Sequence, residues 1–141
     1  MKEKFKQISN KPGFMKHNGG IFFRKVSSKE YEFKTTINKN KLNSAGITHG
    51  GYICSIIDAG SGTAAHRASN NTPCVTISLD IKFISATKAG DEITGFTKIQ
   101  KITKSMVFLV CYLKSNSRLV ASASGIWKKL NKNISDFGPG G

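Results

Sequence analysis

Residues 43–65 read NSAGITHGGYICSIIDAGSGTAA, and this stretch decides how the rest of the chain is arranged. Its first half is a glycine-rich turn that ends in His49, Gly50 and Gly51, and its second half contains one acid, Asp58. Apolar and small residues recur in it at i, i+4, i+7 and i+11, which is the stripe of a core-facing helix. They are Ile53, Ile57, Gly60 and Ala64. The stretch therefore predicts a turn that leads directly into a long, buried helix.

The second half of this helix is unusually rich in small residues. Every residue from 59 to 65 is small, and Gly60 and Gly62 each cost about 1 kcal/mol of helix propensity relative to alanine. Such a segment is marginal alone, and close packing of a sheet around it would compensate. We therefore expect a central helix that a sheet wraps.

The spacing between the turn and Asp58 carries the main functional inference. The N–H groups at a helix start suit a carbonyl oxygen or an anion. If the helix starts near Gly50, Asp58 lies about 12 Å further along the axis, at ~1.5 Å per residue. One small reacting group cannot touch both. If both serve one reaction, a second copy of the chain must supply one of them, as in a two-fold dimer with antiparallel central helices.

The remaining sequence predicts strands. They cover residues 21–26 and 31–37 before the helix, and 74–84, 92–103, 106–114 and 118–129 after it. In the first strand after the helix the apolar residues alternate with polar ones, which predicts a half-buried strand with its apolar side chains on one face. These apolar residues are Val75, Ile77, Leu79, Ile81 and Phe83.

Long strands joined by short turns favour an antiparallel sheet, of which a single helix can cover one face. The prediction is an α+β fold with about six strands around the helix. Residues 1–18 form an N-terminal segment with a short helix broken at Pro12, residues 19–130 form one domain, and residues 131–141 form a flexible tail.

Composition excludes several classes of protein. The net charge is +14, but the 19 lysines are scattered along the chain and there are only three arginines. A nucleic-acid site usually concentrates arginine and aromatic residues on one face, so we expect no nucleic-acid partner. The positive field would nevertheless attract phosphorylated ligands.

The cysteines and the apolar runs exclude further classes. Cys54, Cys74 and Cys111 are an odd number without C-x-x-C spacing, which argues against disulfides and against a zinc site. The N-terminus lacks the apolar region of a signal peptide, and the longest apolar run, residues 106–113, is too short to span a bilayer. We expect no metal, no membrane insertion and a cytoplasmic protein.

The turn and the acid together carry a known signature, N-x-x-G-x-x-H-G-G followed seven residues later by aspartate. It is formed here by Asn43, Gly46, His49, Gly50, Gly51 and Asp58. This pattern resembles the PaaI-type (phenylacetic-acid-degradation) acyl-CoA thioesterases of the hotdog fold. The resemblance extends over residues 13–130. It implies a long helix wrapped by a curved antiparallel sheet, hydrolysis of acyl-CoA or aryl-CoA thioesters, and a homodimer or a dimer of dimers. It implies no cofactor, because coenzyme A is part of the substrate.

The resemblance also implies roles for the residues of the signature. The Gly51 N–H would stabilise the oxyanion, and Asp58 would act across the dimer interface as general base or nucleophile. Asn43 would hold the thioester carbonyl or, alternatively, make an Asx-type bond within the turn. His49 would donate to the carbonyl or brace the loop as a helix N-cap. It lies about 180° around the helix from Asp58, so the two cannot pair within one chain.

The other candidate residues surround this pair. Ser78 would orient the attacking water, provided that a β-bulge or a dimer groove re-aims it from the polar face of its strand. Gly50 would let the ligand approach the backbone closely. Lys104 would bind the coenzyme phosphates or be a solvated lysine. Phe83 would line an aromatic pocket or the core.

Three alternatives stay open at this stage. A non-catalytic acyl-thioester binding or regulatory hotdog module would keep the groove but lose the acid, and Asp58 is present. A hotdog hydratase or dehydratase would pair its acid with histidine in a D-x-N-x-x-H or H-F-P context, which this sequence lacks. The acyl group could also be carried by a carrier protein instead of coenzyme A.

Overall fold

A computed structural model describes residues 2–131, so the predicted tail falls almost wholly outside the described residues. Within them, a 3₁₀ turn at Lys39–Lys41 precedes the long helix. The strands and α-helices follow in the order β1 (Lys6–Gln7), α1 (Phe14–His17), β2 (Phe22–Lys25), β3 (Glu30–Thr36), α2 (Gly50–Ala68), β4 (Cys74–Phe83), β5 (Glu92–Ile102), β6 (Met106–Ser115) and β7 (Arg118–Lys129).

All seven strands form one antiparallel sheet in the order β1-β2-β3-β5-β6-β7-β4. Helix α2 packs against one face of it, and the residues of the predicted stripe are buried at that contact. Strand β6, whose sequence is apolar on both faces, lies between β5 and β7. The predicted α+β class is thus confirmed, and so is the antiparallel sheet around one helix.

The N-terminal segment differs from the prediction of a short helix and about six strands. A seventh strand, β1, pairs Lys6 with Phe23 and Gln7 with Phe22 at the edge of the sheet. Two residues are too few to show an alternating pattern, which is why the sequence did not indicate this strand. Among residues 2–18 the one helical turn follows Pro12, at Phe14–His17.

An ion pair ties this N-terminal arm to the end of α2. The Arg67 guanidinium donates to both carboxylate oxygens of Glu3, at 2.9 and 2.7 Å. These two hydrogen bonds have the largest effect on the pKa of Glu3, and the one donated by the backbone N–H of Lys25 has the next largest. Together they lower this pKa from 4.5 to about 2. The arm therefore lies over the C-terminal part of α2.

A β-bulge changes the predicted alternation in β4. Thr76 lies opposite Trp127 of β7 and Ser78 lies opposite Ile126, so Ile77 is the extra residue. Paired residues share a face of the sheet, and the bulge therefore turns Thr76 onto the face that carries α2 and the buried Trp127. Ile77, predicted to share the apolar face of this strand, is 49% exposed. The prediction that residues 75–83 alternate without interruption was wrong at this point.

Gly60 in α2 and Gly95 in β5 make room for one phenylalanine. A Cβ added at Gly60 or at Gly95 would overlap the ring of the fully buried Phe33. This close approach explains why α2 tolerates glycine at position 60 despite its cost in helix propensity.

Gly60→Ala is therefore expected to lower the free energy of unfolding by about 1–3 kcal/mol, the cost of overpacking a core. Gly62→Ala is the matched control, because its Cβ would meet no atom closer than Trp127 Nε1 at 3.3 Å. Denaturant unfolding of both variants measures the difference. Equal stability of the two variants would contradict the tight packing of Phe33 in this helix.

Candidate functional site

The turn before α2 is held in place from both sides. The backbone N–H of His49 donates to the carbonyl of Lys41 at 2.8 Å, and the Thr48 hydroxyl lies 2.6 Å from that of Thr87. The buried ammonium of Lys41 in turn donates to the carbonyl of Thr36 at 2.8 Å, and burial lowers the pKa of this lysine. Lys41 was not a sequence candidate, since nothing in its local pattern distinguishes a buried lysine. Through this hydrogen bond Lys41 anchors the loop to Thr36, the last residue of β3.

His49 caps the helix. Its Nδ1 accepts a hydrogen bond from the Gly51 N–H at 2.8 Å, which is the N-cap contact considered for this histidine. The Gly51 N–H, predicted to hold the oxyanion, is already paired. At Gly50, the preceding residue and the first of the helix, the N–H has no acceptor among residues 2–131.

Gly50 opens onto a cavity of about 300 Å³, which we call the amide cavity. Asn43 also lines it, and its Oδ1 accepts from the backbone N–H groups of Ala45 at 2.9 Å and Ile47 at 3.3 Å. The Asx-type bond considered for Asn43 is thus present. Its Nδ2 has no acceptor within the described part of the chain, so an amide donor and a backbone donor border one cavity.

Phe83 and Lys104 lie at opposite ends of the sheet. Phe83 is 59% exposed, lines the amide cavity, and its ring lies 3.5 Å from where a side chain at Gly50 would begin. Lys104 is exposed in the turn between β5 and β6, and this turn is tied to the end of β7 by the Lys129 N–H, which donates to the Ser105 carbonyl at 2.8 Å. Lys104 therefore lies at the end of the sheet that holds Thr76.

Asp58 faces a different cavity, of about 650 Å³, which we call the acid cavity. Its Oδ1 accepts a hydrogen bond from the Thr76 hydroxyl at 2.6 Å. In the single chain the carboxylate is exposed. Apolar and small residues line the cavity between the N-terminal arm and α2, among them Ile8, Met15, Ala59, Gly62 and Trp127.

Thr76 is the site residue that sequence reasoning missed. Ser78 was predicted to work with the acid, yet it lies on the outer face of the sheet, opposite Ile126. The bulge at Ile77 re-aims Thr76 instead. Strict alternation puts Thr76 and Ser78 on the same face, and only the pairing with β7 shows that they diverge.

The structure does not join the two halves of the predicted site within one chain. Asp58 and Gly50 line different cavities, and no hydrogen bond joins His49 to Asp58 among residues 2–131.

Metal-ligating clusters and long apolar helices would indicate other kinds of site. Over residues 2–131 no cluster of three or more metal-ligating side chains occurs, and no helix is long and apolar enough to cross a membrane. The three cysteines are free, and burial, followed by the negative charge of Asp58, raises the pKa of Cys54.

A sequence profile described as the thioesterase superfamily matches residues 45–121, which include the turn, α2 and most of the sheet. The chain belongs to the thioesterase superfamily. It is 32% identical over 110 residues to "Putative esterase PA0474" of Pseudomonas aeruginosa, covering 77% of this chain and 82% of that protein. It is 24% identical over 123 residues to acyl-coenzyme A thioesterase 13 of Mus musculus, covering 86% and 88%.

Solved structures share the fold. The crystal structure of zebra fish thioesterase superfamily member 2 superposes with a TM-score of 0.79 at 19% identity, over 86% of this chain and 90% of that one. The crystal structure of smu.793 from Streptococcus mutans, bound to acetyl CoA, superposes with a TM-score of 0.76 at 19% identity. The superposition covers 89% of this chain and 98% of that one. At this level of identity the likeness establishes the hotdog fold of this thioesterase-superfamily member and nothing about its substrate.

Proposed function

We propose that this chain is a PaaI-type hydrolase of acyl-CoA or aryl-CoA thioesters, with each active site shared between two copies of the chain. The observation that carries the proposal is the position of the two half-sites along β4. Gly50 packs against Phe83 at the C-terminal end of this strand, and Asp58 is bonded to Thr76 near its N-terminal end. Antiparallel pairing of β4 with a second β4 would bring opposite ends together.

Strand β4 is suited to such pairing. It is ten residues long and forms one edge of the sheet, with no neighbour on its outer side among residues 2–131. Large apolar side chains are exposed along it and just beyond it, namely Ile77, Phe83 and Ile84. A long, apolar, unpaired edge is a template for another strand, and a second copy of β4 would cover it.

The register of this pairing follows from the two half-sites. Thr76 and Phe83 lie on either side of Leu79 and Asp80, so a two-fold axis near that point would place Thr76 opposite the partner's Phe83. Each amide cavity would then face the partner's Asp58. The dimer would contain two equivalent sites, and its association into a dimer of dimers stays a prediction.

The chemistry assigned to this site is direct hydrolysis. The Gly50 N–H and the Asn43 side-chain amide would hold the carbonyl oxygen as negative charge develops on it. The partner's Asp58 would take a proton from water while the water oxygen attacks the carbonyl carbon. The carbon–sulfur bond then breaks, and the departing thiolate takes the proton from Asp58. No metal or cofactor is required by these steps.

Coenzyme A is favoured as the thiol carrier by two observations. One relative carries acyl-coenzyme A thioesterase in its name, and a structural neighbour was crystallised with acetyl CoA. The net charge of +14 would attract the phosphates of the coenzyme, with Lys104 as the candidate contact. A hydrolysis screen over short, medium, long and aryl acyl-CoAs, with detection of free thiol, tests the proposal. Turnover of acyl-carrier proteins alone would contradict coenzyme A as the carrier, and no turnover would contradict the function.

Thr76→Val is expected to lower kcat by about tenfold or more, because one hydrogen bond to the charged Asp58 is worth roughly 1.5–3 kcal/mol. Valine keeps the shape and the β-branch of threonine but cannot donate. Thr76→Ser is the matched control, since it retains the hydroxyl and should retain most of the activity. Steady-state kinetics of the two variants decide the role: equal losses would show that the methyl group, and not the hydrogen bond, is what the site needs.

A further inference from the structure

The acid cavity contains a polar group that the reaction proposed above does not use. Trp127 is 1% exposed and lines this cavity, and its indole Nε1 has no acceptor among residues 2–131. A buried tryptophan N–H usually finds a partner. Ser69 Oγ is the only side-chain N or O atom that is both fully buried and unpartnered in the described residues. The indole N–H therefore reaches open space, and the space beside it is the acid cavity.

Gly62 explains why the indole N–H is uncovered. A Cβ at this position would lie 3.3 Å from Trp127 Nε1, so any larger residue would cover the group. The glycine is costly here, because it lies inside α2, where alanine would be better by about 1 kcal/mol. The cavity wall thus presents a hydrogen-bond donor that an alanine at position 62 would cover while it also stabilised the helix.

The donor lies close to the reacting atoms. Trp127 is directly opposite Thr76 in the sheet, and Thr76 donates to Asp58. Gly62 follows Asp58 by one helical turn, which is about 6 Å along the axis. A thioester attacked by water at Asp58 would extend the first few atoms of its acyl group past the indole.

We propose that the acid cavity is the acyl subsite and that Trp127 selects acyl groups with a hydrogen-bond acceptor near the thioester, such as 3-hydroxyacyl groups. This inference rests on the proposed thioesterase function. A site built to hydrogen-bond a polar group discriminates against the analogue that lacks it, because its own donor is then left unpaired. Trp127 is accordingly a residue that determines specificity by direct contact with the acyl group.

A matched pair of substrates, butanoyl-CoA and 3-hydroxybutanoyl-CoA, tests this proposal. Wild-type protein should prefer the hydroxylated substrate in kcat/KM by roughly tenfold, the factor that one hydrogen bond supplies. Trp127→Phe removes the N–H, and Gly62→Ala covers it with a methyl group, so both should reduce the ratio to about one. The ratio within each variant is independent of the fraction of protein that is folded, and alanine favours the helix in Gly62→Ala.

The binding ratio of the same two ligands is measured by calorimetry in an Asp58→Asn background, where turnover does not interfere. It should fall from about tenfold to about one when Gly62→Ala is added. A ratio near one in the otherwise unchanged protein, or a ratio that neither variant alters, would overturn the proposal. Absence of hydrolysis of both substrates by wild-type protein would contradict the thioesterase function instead, and the binding ratio would still decide the role of Trp127.

Discussion

Asp58→Asn is expected to lower kcat by about a thousandfold, within the 10²–10⁴-fold range of general-base catalysis. Asparagine has nearly the shape of aspartate, and its side-chain oxygen can still accept the hydrogen bond that Thr76 donates at 2.6 Å. It cannot take a proton from water or form an acyl intermediate. Thiol release from an acyl-CoA that the wild-type protein hydrolyses measures the loss, and calorimetry should show that substrate binding is kept.

Glu92→Gln is the control for this experiment. Glu92 is an exposed acid at the start of β5, away from the β4 edge, and its carboxylate makes no hydrogen bond among residues 2–131. Removal of its charge should leave activity close to that of wild type. An active Asp58→Asn protein would show that another group activates the water, and the site described here would then be a binding site only.

Much of this fold can be predicted from short-range patterns. Helix α2 was expected to begin near Gly50, and it spans Gly50–Ala68. The strand bounds after it agree to within a residue at each end, because turns with glycine, asparagine or serine interrupt clear apolar runs. These features depend on residues that are neighbours in sequence, so turn residues and apolar periodicity are enough to predict them.

The details of the site depend on contacts between distant residues, which is why they could not be predicted in full. The bulge at Ile77 exists only in the pairing of β4 with β7, and it decides that Thr76, not Ser78, reaches Asp58. Likewise, the signature does not show which glycine N–H is free. The side chain of His49 takes the N–H of Gly51 and leaves that of Gly50.

Gly50→Pro is expected to lower kcat by about 10²–10³-fold, the usual cost of losing one oxyanion donor. Proline removes the N–H that the proposed mechanism assigns to the carbonyl oxygen, and the backbone accommodates it. Gly50 is the first residue of α2, a position where proline is favoured. His49 before it has φ −62° and ψ 132°, the extended conformation that a residue preceding proline adopts. Gly50→Ala, which keeps the N–H, is the control.

Mixed dimers of Gly50→Pro and Asp58→Asn chains test the shared site most directly. Each variant alone damages both sites of its dimer, so both homodimers should be nearly inactive. In a mixed dimer one site combines the intact Gly50 amide with the partner's intact Asp58, while the other site has lost both. Heterodimers purified with two different affinity tags should therefore recover about half of the wild-type turnover per dimer, the share expected for one of two equivalent sites. Heterodimers as inactive as the parents would mean that one chain supplies both groups, and the pairing of β4 across a two-fold axis would not be the basis of catalysis.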